Sequence, residues 1–373
     1  MKIGILTLTD GSNYGNRLQN YALQKTLEKL GYDVETIKRT TFRDLSRKEK
    51  RISILKDTVK RLIGKKNTSF WARKRKVIFD EFNEAYINFS EDILHNNMAP
   101  SDMGDKYDYF VCGSDQIWNA RYEIVSEDIG NHLAHFAQGK KRIAYAASFG
   151  TTDIAPGYEN IFEKELKKFK SIGLRETSGV NIVKKYADRD DAVVVLDPTM
   201  LLKKEEWVKI ERKPQYITDT PYIVTYFLGG RDKETTEYIQ LIADNHNATI
   251  INLESEFLCD GDISKADVYL TGPDEFIWLV HNAKCVITDS FHATVFSILF
   301  HKPFAVCQRK SAEKENNVET RIDTLLTMFS LCENKIDVSD LGCVPHDYDG
   351  NQIERVLDRE RQRSIEFLDD SLR

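Results

Sequence analysis

The chain opens Lys2-Ile3-Gly4-Ile5-Leu6-Thr7-Leu8-Thr9-Asp10-Gly11-Ser12-Asn13-Tyr14-Gly15-Asn16-Arg17, and this stretch decides the fold. The apolar run Lys2–Leu8 predicts a buried strand and Thr9–Gly15 a glycine loop. Leu18, Tyr21, Ala22, Leu27 and Leu30 then fall on one helix face that stops at Gly31. Asp33–Lys38 predicts the next strand and completes a βαβ unit. Beyond it the alternation recurs. Strands are predicted at Tyr107–Cys112, Arg142–Ala146, Ser171–Arg175 and Ala192–Leu196, then at Tyr222–Phe227, Thr249–Leu253, Cys285–Thr288 and Phe304–Cys307. Helical patterns such as Ile161–Lys170 lie between them.

The reading is an α/β protein of two Rossmann-like, doubly wound domains facing a cleft. Residues 1–217 form the first, interrupted by a basic helical insertion over about 39–95 that includes a helix at Phe70–Tyr86. Residues 218–345 form the second, after a linker at Thr218–Pro221. Residues 346–373 supply a final helix, Gln352–Leu368, expected to pack back on the first domain. Ligands of such sheets bind beyond the carboxyl ends of the strands, where strand order reverses.

The chain has 373 residues, ample for two cores, and 41% of them are hydrophobic. The net charge of −6 argues against a nucleic-acid binder. It is unevenly spread: Lys38 to Lys76 holds sixteen Lys and Arg against Asp44, Glu49 and Asp57, a local +13 against −19 for the rest. Within this arm Ile52, Ile54, Leu55, Val59, Leu62 and Ile63 fall largely opposite Lys56, Lys60, Arg61 and Lys65. That pattern predicts peripheral contact with an anionic inner membrane face, or else a stripe packed on the first domain. The apolar start is too short for a signal peptide, and the expected location is cytoplasmic. Cys112, Cys259, Cys285, Cys307, Cys332 and Cys343 form no C-x-x-C pair and are expected to be core residues of a reducing compartment.

Four polar strand ends are candidates for chemistry. Gly15, Asn16 and Arg17 follow the first strand, where a glycine loop and a helix start can present N–H groups to an anion or a hydroxyl-rich ligand, or simply make a tight turn. Ser114 and Asp115 follow Val111-Cys112-Gly113; Asp115 is a sugar-hydroxyl ligand, a base or a helix cap. Arg175 closes an apolar strand, either as a fork for an anion or as the partner of Glu176 or a neighbour. Thr288-Asp289-Ser290-Phe291-His292 delivers a histidine to a helix start, suited to proton transfer beside an anion. His132 and His135 lack the companions of a metal site and are expected at the surface. There is no P-loop spacing, G-x-G-x-x-G or G-x-S-x-G.

Together, Gly15-Asn16-Arg17-Leu18-Gln19-Asn20, Gly113-Ser114-Asp115-Gln116-Ile117-Trp118-Asn119, Ile172-Gly173-Leu174-Arg175-Glu176, Leu196-Asp197-Pro198-Thr199 and Thr288-Asp289-Ser290-Phe291-His292-Ala293 resemble the polysaccharide pyruvyl transferase family, in order from Lys2 to about Leu326. The resemblance implies a fold similar to GT-B glycosyltransferases and phosphoenolpyruvate as donor. It implies transfer of the pyruvyl group onto two sugar hydroxyls as a cyclic ketal, without cofactor or metal. It places Arg175 and His292 at the catalytic positions. A further basic residue comes from Arg309 or Lys310, and Ser290 lies on the donor side. Asp115, read as catalytic or acceptor-side, joins Gly15, Asn16, Arg17 and Ser114 along the cleft. The acceptor would be a sugar, lipid-linked or nucleotide-linked. The alternatives are a GT-B glycosyltransferase using a nucleotide sugar and a non-catalytic glycan-binding protein.

Overall fold

The computed structural model describes residues 1–9, 11–40, 68–95, 98–137, 141–254, 266–309, 320–339 and 344–373. Strands β1 (Lys2–Leu6), β2 (Asp33–Thr40), β3 (Phe89–His95), β4 (Tyr109–Cys112), β5 (Arg142–Ala147), β6 (Ser171–Leu174) and β7 (Val193–Val194) form one sheet, ordered β3-β2-β1-β4-β5-β6-β7. Strands β8 (Tyr222–Phe227), β9 (Thr249–Glu254), β10 (Val286–Thr288), β11 (Phe304–Cys307) and β12 (Lys335–Ile336) form a second, ordered β12-β11-β10-β8-β9. All the pairings between these strands are parallel. The strand order reverses between β1 and β4 in the first sheet and between β8 and β10 in the second. Such a reversal parts the crossover connections to opposite faces and opens a crevice at the strand ends.

The central strands read as continuous apolar runs because helices cover both faces. Tyr222–Phe227 and Arg142–Ala147 are buried at every position. Two edge strands were not anticipated. Phe89-Ser90-Glu91-Asp92-Ile93-Leu94-His95 pairs with β2 inside the region expected to be a helical insertion, and its acidic middle hides the strand signal. Edge strands carry such charges because one side meets solvent. Lys335–Ile336 is too short to show a period.

The last helix, Gly350–Leu372, lies against the end of the first sheet. Ser364 Oγ accepts from the Leu196 amide at 3.0 Å, Arg361 Nε donates to the Met200 carbonyl at 3.0 Å, and Leu368 and Leu372 are fully buried. The helix Thr68–Tyr86 joins the two halves through Arg75. This fully buried guanidinium donates to the carbonyls of Tyr269 and Ser12 and lies 4.8–5.3 Å from the ring centroids of Tyr14, Phe79 and Tyr269. Arg39 is also buried, paired with Asp128 at 2.9 Å. Two cations of the basic arm therefore serve the interior; residues 41–67, including the predicted amphipathic stripe, lie outside the described residues.

His132 is not at the surface. Its helix ends at His132, the ring is buried with Nδ1 3.3 Å from Arg39 Nη1, and desolvation holds it well below the usual histidine range; His135 is exposed. Cys112, Cys285 and Cys307 are buried and in no disulfide, Cys332 is exposed and so is not the core residue expected, and Cys259 and Cys343 lie outside the described residues. Among the described residues no helix is long and apolar enough to cross a membrane.

Candidate active site

The two reversals of strand order bring the polar loops together. From the β1 end, Asn13 caps the helix Tyr14–Lys29, its side chain accepting from the Asn16 amide at 3.3 Å. From the β10 end, Ser290 caps the helix Phe291–Leu299 and accepts from the Ala293 amide at 3.5 Å. These two helix starts meet. A Cβ on Gly15 would lie 1.9 Å from His292 Nδ1, so the imidazole sits directly on the first turn of the opposing helix.

Around His292 the structure gathers four more charged groups. Arg175 Nη2 lies 2.7 Å from Asp197 Oδ2 and also donates to Ser114 Oγ, while its Nη1 lies 3.4 Å from Asp115 Oδ1. His292 Nε2 is 3.8 Å from Asp197 Oδ2, beyond hydrogen-bond reach, and has no hydrogen-bond partner among the described residues. Arg321, in the first turn of the helix Thr320–Phe329, places Nη1 3.7 Å from Asp115 Oδ1. The guanidiniums of Arg175 and Arg321 lie 4.7 and 5.7 Å from the ring centroid of Phe291.

Burial and charge set the protonation states. Burial would raise Asp197 and Asp115, yet the adjacent Arg175 brings both below the usual carboxylate range, helped by His292. Burial pushes His292 down to about 4, with Asp197 resisting and Arg175 adding to the fall, so the ring is neutral at pH 7. Burial, with Arg175 beside it, lowers Arg321 to about 10 and leaves it charged.

Several expectations are revised by where the side chains go. Asp115 caps no helix: it sits at φ 66, in the left-handed region, and its Oδ1 accepts from the Gln116 amide at 2.8 Å. Arg175 does not pair with Glu176, whose Oε1 accepts from the Phe149 and Gly150 amides at 2.8 and 3.2 Å. Ser114, expected on the acceptor side or along the cleft, is fully buried, and its hydroxyl engages Asp197, Ala146 and Arg175. Arg17 turns back, Nη2 donating to the Gly11 carbonyl at 2.6 Å, and so holds the loop that precedes its helix. Asn16 stays half-buried at the helix start.

Arg309 donates from Nη2 to the Asp289 carbonyl at 2.9 Å, which places it beside Ser290. Lys310 lies outside the described residues. The Asp289 carboxylate staples the end of β8, accepting from the Leu228 and Gly229 amides at 2.6 and 2.8 Å. No group of three or more His, Cys, Asp or Glu that could hold a metal ion occurs among the described residues.

Sequence reasoning missed Asp197 as the partner of Arg175, Asp289 as the staple of the β8 end beside Arg309, and Arg321 as a member of the cluster. The first two carry a signal, an aspartate directly after an apolar strand and before a turn or helix start. Arg321 carries none, since an arginine in an amphipathic helix reads as solvated.

Compared with known families, the model for polysaccharide pyruvyl transferases matches residues 13–311, most of the chain. The chain belongs to the polysaccharide pyruvyl transferase family. As a member of this family it is a transferase, and the matched stretch contains Arg175, Asp197 and His292 but not Arg321. No curated protein matches the chain in sequence.

Among solved structures it is similar to a putative UDP-N-acetylglucosamine 2-epimerase from Listeria monocytogenes, with a TM-score of 0.50 and 10% identity over 96% of this chain and 94% of that one. It is also similar to Arabidopsis thaliana UGT89C1 complexed with UDP-L-rhamnose, with a TM-score of 0.49 and 7% identity over 100% and 98% of the chains. The UDP-GlcNAc 2-epimerase from Neisseria meningitidis bound to UDP-GlcNAc gives 0.47 and 9% over 96% and 99%. At 10% identity the likeness to the Listeria structure is one of fold, and with the two parallel sheets the architecture is GT-B-like.

Proposed function

We propose that the protein transfers the pyruvyl group of phosphoenolpyruvate onto two hydroxyls of a sugar in a cell-surface polysaccharide precursor, forming a cyclic ketal and releasing phosphate. The observation that carries this reading is His292, a neutral, buried imidazole whose Nε2 is uncommitted, set against a helix start and two guanidiniums. A trianionic donor needs cations and helix N-termini, and its arrival beside the ring favours the imidazolium, raising the histidine from about 4 toward working pH.

The chemistry then balances on few groups. The methylene carbon of the donor gains a proton and becomes a methyl group, while C2 becomes electrophilic and bonds to the first hydroxyl oxygen. The C2–O bond to phosphate breaks as the second hydroxyl oxygen closes the ring. Of the two hydroxyl protons, one is balanced by the new methyl C–H and the other leaves on hydrogen phosphate. His292 is assigned as the general acid and base of these transfers. Arg175 and Arg309 or Lys310 are assigned to the donor's charges, Ser290 to the donor side, and Asp115 with Gly15, Asn16 and Arg17 to the acceptor side or cleft. Ser114 and Asp197 hold Arg175 in place. The reading calls for no cofactor, and turnover is expected to survive a chelator.

We assign the acceptor to a sugar reached from the cytoplasm, either lipid-linked at the inner face of the membrane, with the basic arm as the element that would approach anionic lipid, or nucleotide-linked and soluble. Phosphate release from phosphoenolpyruvate across a panel of both kinds of sugar tests the reaction. Consumption of a nucleotide sugar instead would move the assignment to a glycosyltransferase. Binding without turnover of either donor would make it a glycan-binding protein.

A further inference from the structure

Asp115 Oδ1 sits between two guanidiniums at 3.4 Å from Arg175 and 3.7 Å from Arg321. Charge-assisted N–H···O contacts close to roughly 2.7–2.9 Å when they are fully made, so this carboxylate is a loose occupant. Arg321 is buried, its side chain 5% exposed, and its Nε has no hydrogen-bond partner among the described residues. Burying a guanidinium without a full set of acceptors is costly unless something else completes it. The two arginines come from opposite halves of the molecule, Arg175 from the end of β6 and Arg321 from the helix that follows β11, and both lie over the ring of Phe291.

We propose that Arg321 is a donor-binding residue, forming with Arg175 a two-guanidinium seat that takes the carboxylate or phosphate of a small anionic ligand and is filled only loosely by Asp115 in its absence. This rests on the phosphoenolpyruvate reading for the identity of the ligand, though not for the seat itself. Because the seat draws one arginine from each half, an anion held there would also tie the halves together across the cleft. Arg321 lies beyond residues 13–311, so the family match does not assign it a role.

The test compares wild type with Arg321→Gln and Arg321→Lys, each checked for a native circular-dichroism spectrum. Binding of phosphoenolpyruvate and of inorganic phosphate is measured by titration calorimetry, and KM is measured separately for donor and acceptor. The expected result is a roughly ten- to hundredfold weaker donor for Arg321→Gln, the worth of one charge-assisted fork, with acceptor KM unchanged and a smaller loss for Arg321→Lys. If Arg321→Gln does not fold, Arg321→Lys decides by the same split.

A folded variant with donor and phosphate affinity unchanged overturns the proposal, even if its melting temperature falls, because Arg321 would then only steady Asp115. Two outcomes separate this inference from the function it rests on. Wild-type turnover of phosphoenolpyruvate with no dependence on Arg321 sinks the seat alone. Arg321-dependent binding of inorganic phosphate without turnover supports the seat and sinks the reaction.

Discussion

A side-chain carbon on Gly15 would lie 1.9 Å from Nδ1 of His292, a separation that no pair of unbonded heavy atoms tolerates. The first turns of two helices from opposite halves of the chain thus share one space, and the imidazole fills it. Gly15→Ala is the cleanest probe of that contact, because alanine suits a helix backbone and would, if anything, favour the helix. The variant is expected to fold with a lowered melting temperature, since overpacking a buried contact typically costs about 1–3 kcal/mol, and to lose at least a hundredfold in kcat, since the ring must move away. Near wild-type turnover would place the chemistry elsewhere.

His292→Asn removes the titrating group while keeping a small polar side chain at the helix start. General acid–base groups contribute about 10² to 10⁴ in rate. A loss of that size in kcat is expected, with the donor dissociation constant within a fewfold of wild type. Retention of more than a tenth of the activity in the folded variant would remove His292 from the proton transfers.

The same substitution reports on stability against pH. The folded protein holds His292 at about 4, against about 6.5 for an unperturbed histidine, so below pH 6.5 the unfolded chain binds a proton that the folded chain refuses. Stability is complete above that point and falls as pH drops toward 4, by roughly 3 kcal/mol from this group alone. Asp197 and Asp115, both held low, add losses only further into acid. Denaturant melts from pH 7 to 4 are expected to show a shallower decline for His292→Asn than for wild type. Parallel curves would mean that the ring is already protonated or solvated.

Asp197 organises the cluster, pairing with Arg175 at 2.7 Å and accepting from the Thr199 amide at 2.9 Å. Asp197→Asn keeps the shape and removes the charge, leaving a buried arginine short of a counter-ion, a change that costs on the order of 3 kcal/mol. Chemical denaturation is expected to show that loss together with a rise in donor KM as Arg175 re-orients. A neutral effect on both would show that Arg175 is held by Asp115 and Ser114 alone.

The parts of this site legible in the sequence are those in which local pattern and tertiary role coincide. Ser290 and His292 follow an apolar strand directly, and Arg175 closes one, so their position at a sheet end follows from the chain itself. What hid was what only packing decides. Arg75 sits in a run of cations, Arg73-Lys74-Arg75-Lys76, and nothing local marks the one that is buried under three rings. Arg321 occupies a helix whose pattern predicts a solvated charge, and the cluster it faces is assembled from residues 115 to 292. Asp115 read equally as a cap or a ligand because the turn that separates these, with φ at 66, is fixed by the loops around it and not by its neighbours in sequence.

The central claim is best tested by incubating the purified protein with phosphoenolpyruvate labelled with carbon-13 at C2 and following the label by carbon NMR in the presence of lipid-linked and nucleotide-linked sugars. The account predicts that the label passes from the enol carbon to a quaternary ketal carbon bound to two sugar oxygens, with one phosphate released per ketal formed, and that His292→Asn stops both. Phosphate release with the label appearing as free pyruvate, or an unchanged donor while a nucleotide sugar is consumed, would contradict it.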